Sequence, residues 1–319
     1  MAGTKEIKNR INSVKDTQKI TSAMYLIAST KMRKAKSELD MTRPYFDALK
    51  AEIKRIFRTS ENIDNKYFYP PTGEHELKGT YGYLVITADK GLAGAYNQNV
   101  IKEAMRRMSE HNDNKLYVVG EYGRQYFMSH HIPIEKSFLY TAQNPTLQRA
   151  REISDILLDG YNNREIVKFF IIYTDLKGGM NAQVCSTRLL PFHRADFVAR
   201  ENEKVIHSPF EFMPSMESVL DTIVPSYISG FIYSALVDSF CSEQNARMTE
   251  MDSANQNAQK LLDELKLQYN HIRQNAITQE ITEISSGAKG MKRKKNKKHI
   301  QEVCENNDRE NCSNIRLGC

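Results

Sequence analysis

Apolar residues recur through the first sixty positions in alternating steps of four and three. The series runs Ile7, Ile11, Val14, Gln18, Thr21, Tyr25, Ala28, Met32, Ala35, Leu39, Thr42, Phe46, Leu49, Ile53 and Ile56. This 3.5-residue repeat predicts the seam of a coiled coil. Residues 4–57 hold no Gly and a single Pro, Pro44, so one helix over 1–58 is expected. Gln18 and Thr21 weaken the seam locally, and Pro44 is expected to kink or break the helix near Arg43. A second series has the same rhythm: Val237, Cys241, Gln244, Met248, Met251, Asn255, Ala258, Leu262, Leu265, Tyr269, Ile272, Ala276 and Gln279. It predicts a second long helix within 211–287, with Pro225 in its first turn. At ~1.5 Å per residue these helices are rods of about 80 and 90 Å.

The segment between them has a different pattern. Tyr81–Ala88, Lys115–Val119, Ile166–Tyr173 and Val184–Leu190 are β-branched or aromatic runs that predict strands. Gln98–His111, Glu121–Met128 and Pro145–Tyr161 predict helices. Alternating strands and helices imply a mainly parallel, Rossmann-like α/β domain over 59–210. A polar loop with Pro70-Pro71 over 59–78 and a turn over 174–182 complete it. The expected architecture is therefore α/β plus a long antiparallel two-helix coiled coil, with the α/β domain inserted between the paired terminal segments. Self-pairing of each helix with a second copy is the alternative, since heptads do not reveal their partner.

Charge supports the intramolecular pairing. The chain carries +6 overall, distributed as +8 over residues 1–58, −4 over 225–287 and +5 over 288–319. A basic first helix and an acidic last one attract. The final stretch, with Lys292, Arg293, Lys294, Lys295, Lys297 and Lys298, has little apolar content, so 288–319 is expected to be a disordered basic tail. No run approaches 18 apolar residues, so no transmembrane helix is expected. The N-terminus lacks an apolar core, so no secretory signal is expected. Cys185 and Cys241 are the only body cysteines. This points to a reducing compartment without a disulfide framework.

Candidate chemistry is sparse. The loop Asp89-Lys90-Gly91-Leu92-Ala93-Gly94-Ala95-Tyr96-Asn97 sits where a doubly wound sheet holds a phosphate. It matches neither GxGxxG nor GxxxxGK[ST], so a structural turn is the better reading, resting on Asp89, Lys90, Gly91, Gly94 and Asn97. The histidines are scattered and form no metal spacing. No catalytic residue, metal or cofactor is expected. Arg247, Gln274, Thr278 and Glu280 are polar positions on the last helix, either a solvated face or a partner surface. The basic run lacks interleaved aromatics for base stacking.

Three ordered blocks carry a resemblance. They are Ile7-Lys8-Asn9-Arg10-Ile11 through Thr21 with Lys31-Met32-Arg33-Lys34-Ala35, the Asp89–Asn97 loop, and Ser242-Glu243-Gln244 through Arg273-Gln274-Asn275-Ala276 to Ile284. Over residues 1 to about 288 the chain resembles the gamma subunits of F-type ATP synthases. The resemblance implies a central-stalk rotor subunit without a catalytic site. Its coiled coil would lie inside an alpha/beta hexamer, one gamma per hexamer. The resemblance further implies epsilon and the c-ring as partners, with delta, a and b in the same complex. No nucleic acid is expected. The resemblance also implies a peripheral protein on the cytoplasmic face of the bacterial plasma membrane. It places Met24 against Arg247 and Gln274, with Thr278 and Glu280 in the same region. Lys31, Arg33, Lys34 and Lys36 would face acidic loops of beta. The family usually ends soon after a stretch matching Ser286-Gly287-Ala288, so 289–319 is a departure. No inserted Cys pair implies plastid-style redox control. The competing readings are a nucleotide-binding enzyme using Gly91–Gly94 and a basic coiled-coil protein for nucleic acid.

Overall fold

The computed structural model describes residues 2–59, 65–69, 79–139, 141–177, 181–193, 212–213 and 215–315. The chain divides into two compact units. One is Thr21–Ser253; the other joins Met1–Ile20 to Ala254–Cys319.

Helix α1 (Ala2–Thr59) and helix α5 (Met216–Ile315) run through both units. Every seam position of α1 from Ile7 to Ile56 is buried or half-buried, while intervening residues such as Lys8–Arg10 and Lys15–Thr17 are exposed. The sequence periodicity thus reports the packed face. In the smaller unit, Gln18 Nε2 donates to Gln259 Oε1 at 3.5 Å. In the larger unit, Cys241 lies 3.8 Å from the Met32 carbonyl, and Phe46 packs on Gly230 and Tyr233. Ascending positions on α1 meet descending positions on α5, so the pairing is antiparallel.

Three expectations about the helices need correction. Pro44 does not break α1. The carbonyl it leaves unpaired is that of Asp40, an exposed residue that water can reach. Pro225 is not in the first turn of α5. The helix starts at Met216, where the Ser215 hydroxyl accepts from the Ser218 N–H at 3.2 Å and acts as the cap. Pro225 sits inside the helix, and the carbonyl it orphans belongs to exposed Asp221. The basic tail is helical rather than disordered as far as Ile315. Its Lys, Arg, Glu and Gln are good helix formers, and no Gly or Pro follows Gly290 until Gly318. Residues 316–319 lie outside the described residues, as do most of the 59–78 loop and 194–211.

The larger unit holds a five-stranded sheet. Its strands are β1 (Tyr81–Ile86), β2 (Asn114–Val119), β3 (Lys136–Phe138), β4 (Lys168–Lys177) and β5 (Asn181–Leu190), in the order β3-β2-β1-β4-β5. All neighbours are parallel except β4 and β5. Three helices, α2 (Tyr96–Ser109), α3 (Glu121–Ser129) and α4 (Leu147–Asn162), cover the faces. Successive strand residues point to opposite faces. Tyr83 and Val85 pack with Val100, Ile101 and Phe127 of α2 and α3. Leu84 and Ile86 pack with Ile153 and Leu157 of α4 and with the core that includes Ile53 of α1 and Ile232 of α5. Burial on both faces explains the nearly continuous apolar strand sequences. β3 is only three residues long and was not expected. The turn expected over 174–182 is shorter, because β4 and β5 pair out to Lys177 and Asn181.

The apolar first part of α5 satisfies the length and composition of a membrane span. Leu220, Val224, Ile228 and Ile232 are fully buried in the core, however, so it serves as a core helix.

Candidate functional site

The Asp89–Asn97 loop joins β1 to α2 at the carboxyl ends of the strands, and α5 lies against it. Leu92 and Gly94 adopt positive φ values of 62° and 52°, which folds the loop tightly. Several of the loop's polar atoms bond within the chain, while Asp89 Oδ2 is buried with no hydrogen-bond partner among the described residues. Asn97 Oδ1 accepts from the Ala88 N–H at 2.9 Å. Asp89 Oδ1 accepts from the N–H of Glu121, the first residue of α3, at 2.9 Å. A carboxylate at a helix N-terminus satisfies an orphan donor and meets the positive end of the dipole. Asp89 caps α3 although it is 32 residues away in sequence.

On the facing side, Ala246 of α5 packs on Ala88, Ala93 and Tyr96. Arg247 Nη2 donates to the Gly91 carbonyl at 3.0 Å and pairs with Glu243 at 2.6 Å. Both side chains are nearly buried, at 11% and 8% exposed. Burial pushes the Glu243 carboxyl above its ordinary value, and Arg247 offsets this only in part. A Cβ on Gly94 would come within 2.5 Å of a Glu250 carboxylate oxygen. One turn back on α5, Ser239 Oγ accepts from the Thr174 N–H at 3.2 Å, and the Ser242 hydroxyl donates to the Thr174 carbonyl at 3.3 Å. These bonds tie α5 to the end of β4. Burial also pushes the Tyr96 phenol upward.

Asp238 on the same helix is pushed up to about 6, first by burial and then by Asp175 of β4. Arg43 and Lys36 of α1 act in the opposite direction, and the Ser234 hydroxyl donates to Asp238 Oδ2 at 3.3 Å. Burial raises the neighbouring Cys241 thiol to about 11.

A cavity of about 160 Å³ brings together Met24 and Lys31 of α1, Lys90 of the loop, and Glu243 and Arg247 of α5. Met24 and Arg247 both line this cavity. Gln274 is described with the smaller unit. A larger cavity of about 580 Å³ lies between α2, β5 and α5. Its wall carries the charged side chains Lys102, Glu103 and Arg106, of which Glu103 and Arg106 pair with each other at 2.6 Å.

Lys31, Arg33, Lys34 and Lys36 are exposed along α1, with Lys34 3.9 Å from Glu38. In the smaller unit, Gln274, Thr278 and Glu280 are exposed, and the Thr278 hydroxyl donates to the Gln274 carbonyl at 2.8 Å. From Ile277 to Lys295 every residue of α5 is exposed. Glu243 and Asp238 were not singled out from sequence. The four-residue spacing from Glu243 to Arg247 was a usable signal for the pair, whereas the Gly91 carbonyl carries no sequence signature.

The family model described as ATP synthase matches residues 3–291. The chain is 42% identical over 294 residues to the ATP synthase gamma chain of Caldanaerobacter subterraneus subsp. tengcongensis, covering 90% of this chain and 99% of that one. It is 35% identical over 300 residues to the sodium ion specific ATP synthase gamma chain of Acetobacterium woodii, covering 90% and 98%. Among solved structures, it is similar to a chain in the central stalk and c-ring of the Tetrahymena thermophila mitochondrial ATP synthase. The TM-score is 0.56 at 25% identity, over 74% of this chain and 99% of that chain.

Proposed function

The chain belongs to the ATP synthase gamma-chain family, and from that premise we propose that it is the central-stalk rotor of an F-type ATP synthase, transmitting torque between an ion-driven c-ring and an alpha/beta hexamer. The observation that carries this reading is the antiparallel pairing of α1 and α5 within the larger unit. Two wound helices resist bending and twisting better than one. A single asymmetric axle inside three chemically equal sites meets each of them differently. Only such a differential contact energy shifts a site between tight and open states. About 1.4 kcal/mol of difference changes an affinity tenfold, and rotation carries that difference from site to site.

In this reading the chain has no catalytic site of its own. Support comes from the Asp89–Asn97 loop, whose Asp89 Oδ1, Asn97 Oδ1 and Gly91 carbonyl already bond within the chain. Its partners are alpha and beta, one gamma per hexamer, together with epsilon and the c-ring. The complex is membrane-associated, and the cytoplasmic face of a bacterial plasma membrane is the proposed location. The exposed Lys31, Arg33, Lys34 and Lys36 fit acidic loops of beta, a contact that added salt weakens. Met24 and Arg247 fit a coupling role because they share one cavity. Gln274, Thr278 and Glu280 fit a second contact region further along α5, followed by exposed Ile281 and Ile284, which suit an apolar collar.

Affinity purification with subunit masses tests the proposal. One copy of the chain per three alpha and three beta subunits is expected. Purification as a free chain or as a self-dimer would refute it.

A further inference from the structure

The family match stops at residue 291, and relatives are covered almost to their full length by 90% of this chain. Residues 292–315 are therefore additional to the shaft those relatives share, yet α5 continues through them without a break. At ~1.5 Å per residue they add about 36 Å of helix. The addition opens with Lys292, Arg293, Lys294 and Lys295, followed by Lys297 and Lys298, and no acidic residue lies between Lys289 and Glu302.

The angular placement of these charges decides what they fit. Successive helix positions turn by ~100°. Lys289, Lys292, Arg293, Lys294 and Lys295 thus encircle the axis, leaving no arc wider than about 100° without a cation. All five are exposed. A helix that lies on a membrane needs an apolar face opposite its cations, and this girdle leaves none. A strand-binding surface interleaves aromatics with its cations, and residues 288–319 contain no Phe, Tyr or Trp. A belt of charge on all sides is instead complementary to a surface that surrounds the helix.

Resting on the rotor reading, we propose that the girdle at Lys289–Lys295 is a bearing surface for a ring of carboxylates presented by the alpha and beta subunits where they enclose the extended end of α5. Because charge encircles the axis, attraction is retained at every rotational angle, so the contact centres the helix without fixing its orientation. The extension thereby lengthens the supported part of the axle. Its grip depends on ionic strength, since these are exposed charges.

The test uses the intact complex and a carbodiimide, which joins an ammonium to a carboxylate in direct contact. The expected result is cross-links from Lys292, Lys294 or Lys295 to Asp or Glu of alpha or beta. They should be strong at about 0.01 M salt and lost at about 1 M, as the Debye length shrinks from about 30 to about 3 Å. They should also be lost when Lys292, Arg293, Lys294 and Lys295 are all changed to Gln, which keeps the helix-forming character. A complex with one copy per hexamer that gives no such links, or links only within this chain, overturns the bearing but leaves the rotor reading intact. So does girdle-dependent capture of the complex by anionic phosphatidylglycerol vesicles or by duplex DNA in place of those links. A chain that does not co-purify with alpha and beta overturns both.

Discussion

Arg247 donates to the Gly91 carbonyl at 3.0 Å while holding the Glu243 carboxylate at 2.6 Å. One guanidinium thus fastens α5 to the loop that follows β1 and neutralises a buried acid on its own helix. Arg247→Ala removes both contacts and leaves Glu243 buried without its cation. Breaking a buried pair from one side costs about 3–5 kcal/mol. The larger unit should therefore unfold at lower urea, and adding Glu243→Gln should recover part of the loss. In membrane vesicles the same variant should hydrolyse ATP with reduced ion pumping; unchanged pumping per ATP would remove Arg247 from the coupling path.

Met24→Lys would place an ammonium in the cavity that already holds Lys31, Lys90 and Arg247. Like charges in a partly desolvated space repel. Impaired coupling is expected, measured as ion gradient per ATP hydrolysed, with easing of the defect at high salt.

Asp238 makes part of the stability pH-dependent. Its folded value is about 6, against 3.8 for an ordinary Asp. The folded chain therefore holds this proton more tightly than the unfolded chain. The sign follows: stability is lost as pH rises from about 4 through 6, and the loss is complete above that. A shift of this size is worth at most about 3 kcal/mol. Asp238→Asn should raise the unfolding free energy at pH 7.5, with the gain vanishing near pH 4. Urea unfolding across that range reads it, and a pH-independent gain would rule out Asp238 as the source.

Gly230→Ala sets two effects in opposition. Alanine gains about 1 kcal/mol in helix propensity, but its Cβ would run into the Phe46 ring, and overpacking costs about 1–3 kcal/mol. A net loss of thermal stability is expected, relieved by Phe46→Leu in the same chain.

Asp89→Ala should cost about 0.5–2 kcal/mol through loss of a helix cap. The clearest readout is faster hydrogen exchange at the Glu121 amide, while exchange within α4 is unchanged.

Much of the scaffold was legible in the sequence, because periodicity reports burial directly. The steps from Ile7 to Ile56 gave the packed face of α1 residue by residue, and the Tyr81–Ile86 run gave a strand buried on both sides. Local rules failed where tertiary context decides. Pro225 suits a first turn, but Ser215 supplied an earlier cap. Three residues at Lys136–Phe138 carry too little pattern to reveal an edge strand. The loop at Asp89–Asn97 was legible as a turn, but not as the cap of α3 or the seat of Arg247, since one bond spans 32 residues and the other ends on a backbone carbonyl. The association of Met24 with Arg247 and Gln274 came from resemblance, since no local pattern links residues so far apart in the sequence.

From Ile277 to Lys295, among the described residues, α5 has no companion helix at its side. Helix nucleation is costly, and a lone helix in water is held only by its own ladder of amide bonds, a marginal proposition for most sequences. Winding and unwinding of such a stretch takes on the order of a microsecond. Before assembly this end should melt and re-form continually; once sheathed, it should stay wound. Its stiffness is then borrowed from whatever encloses it, and the axle is completed by its housing.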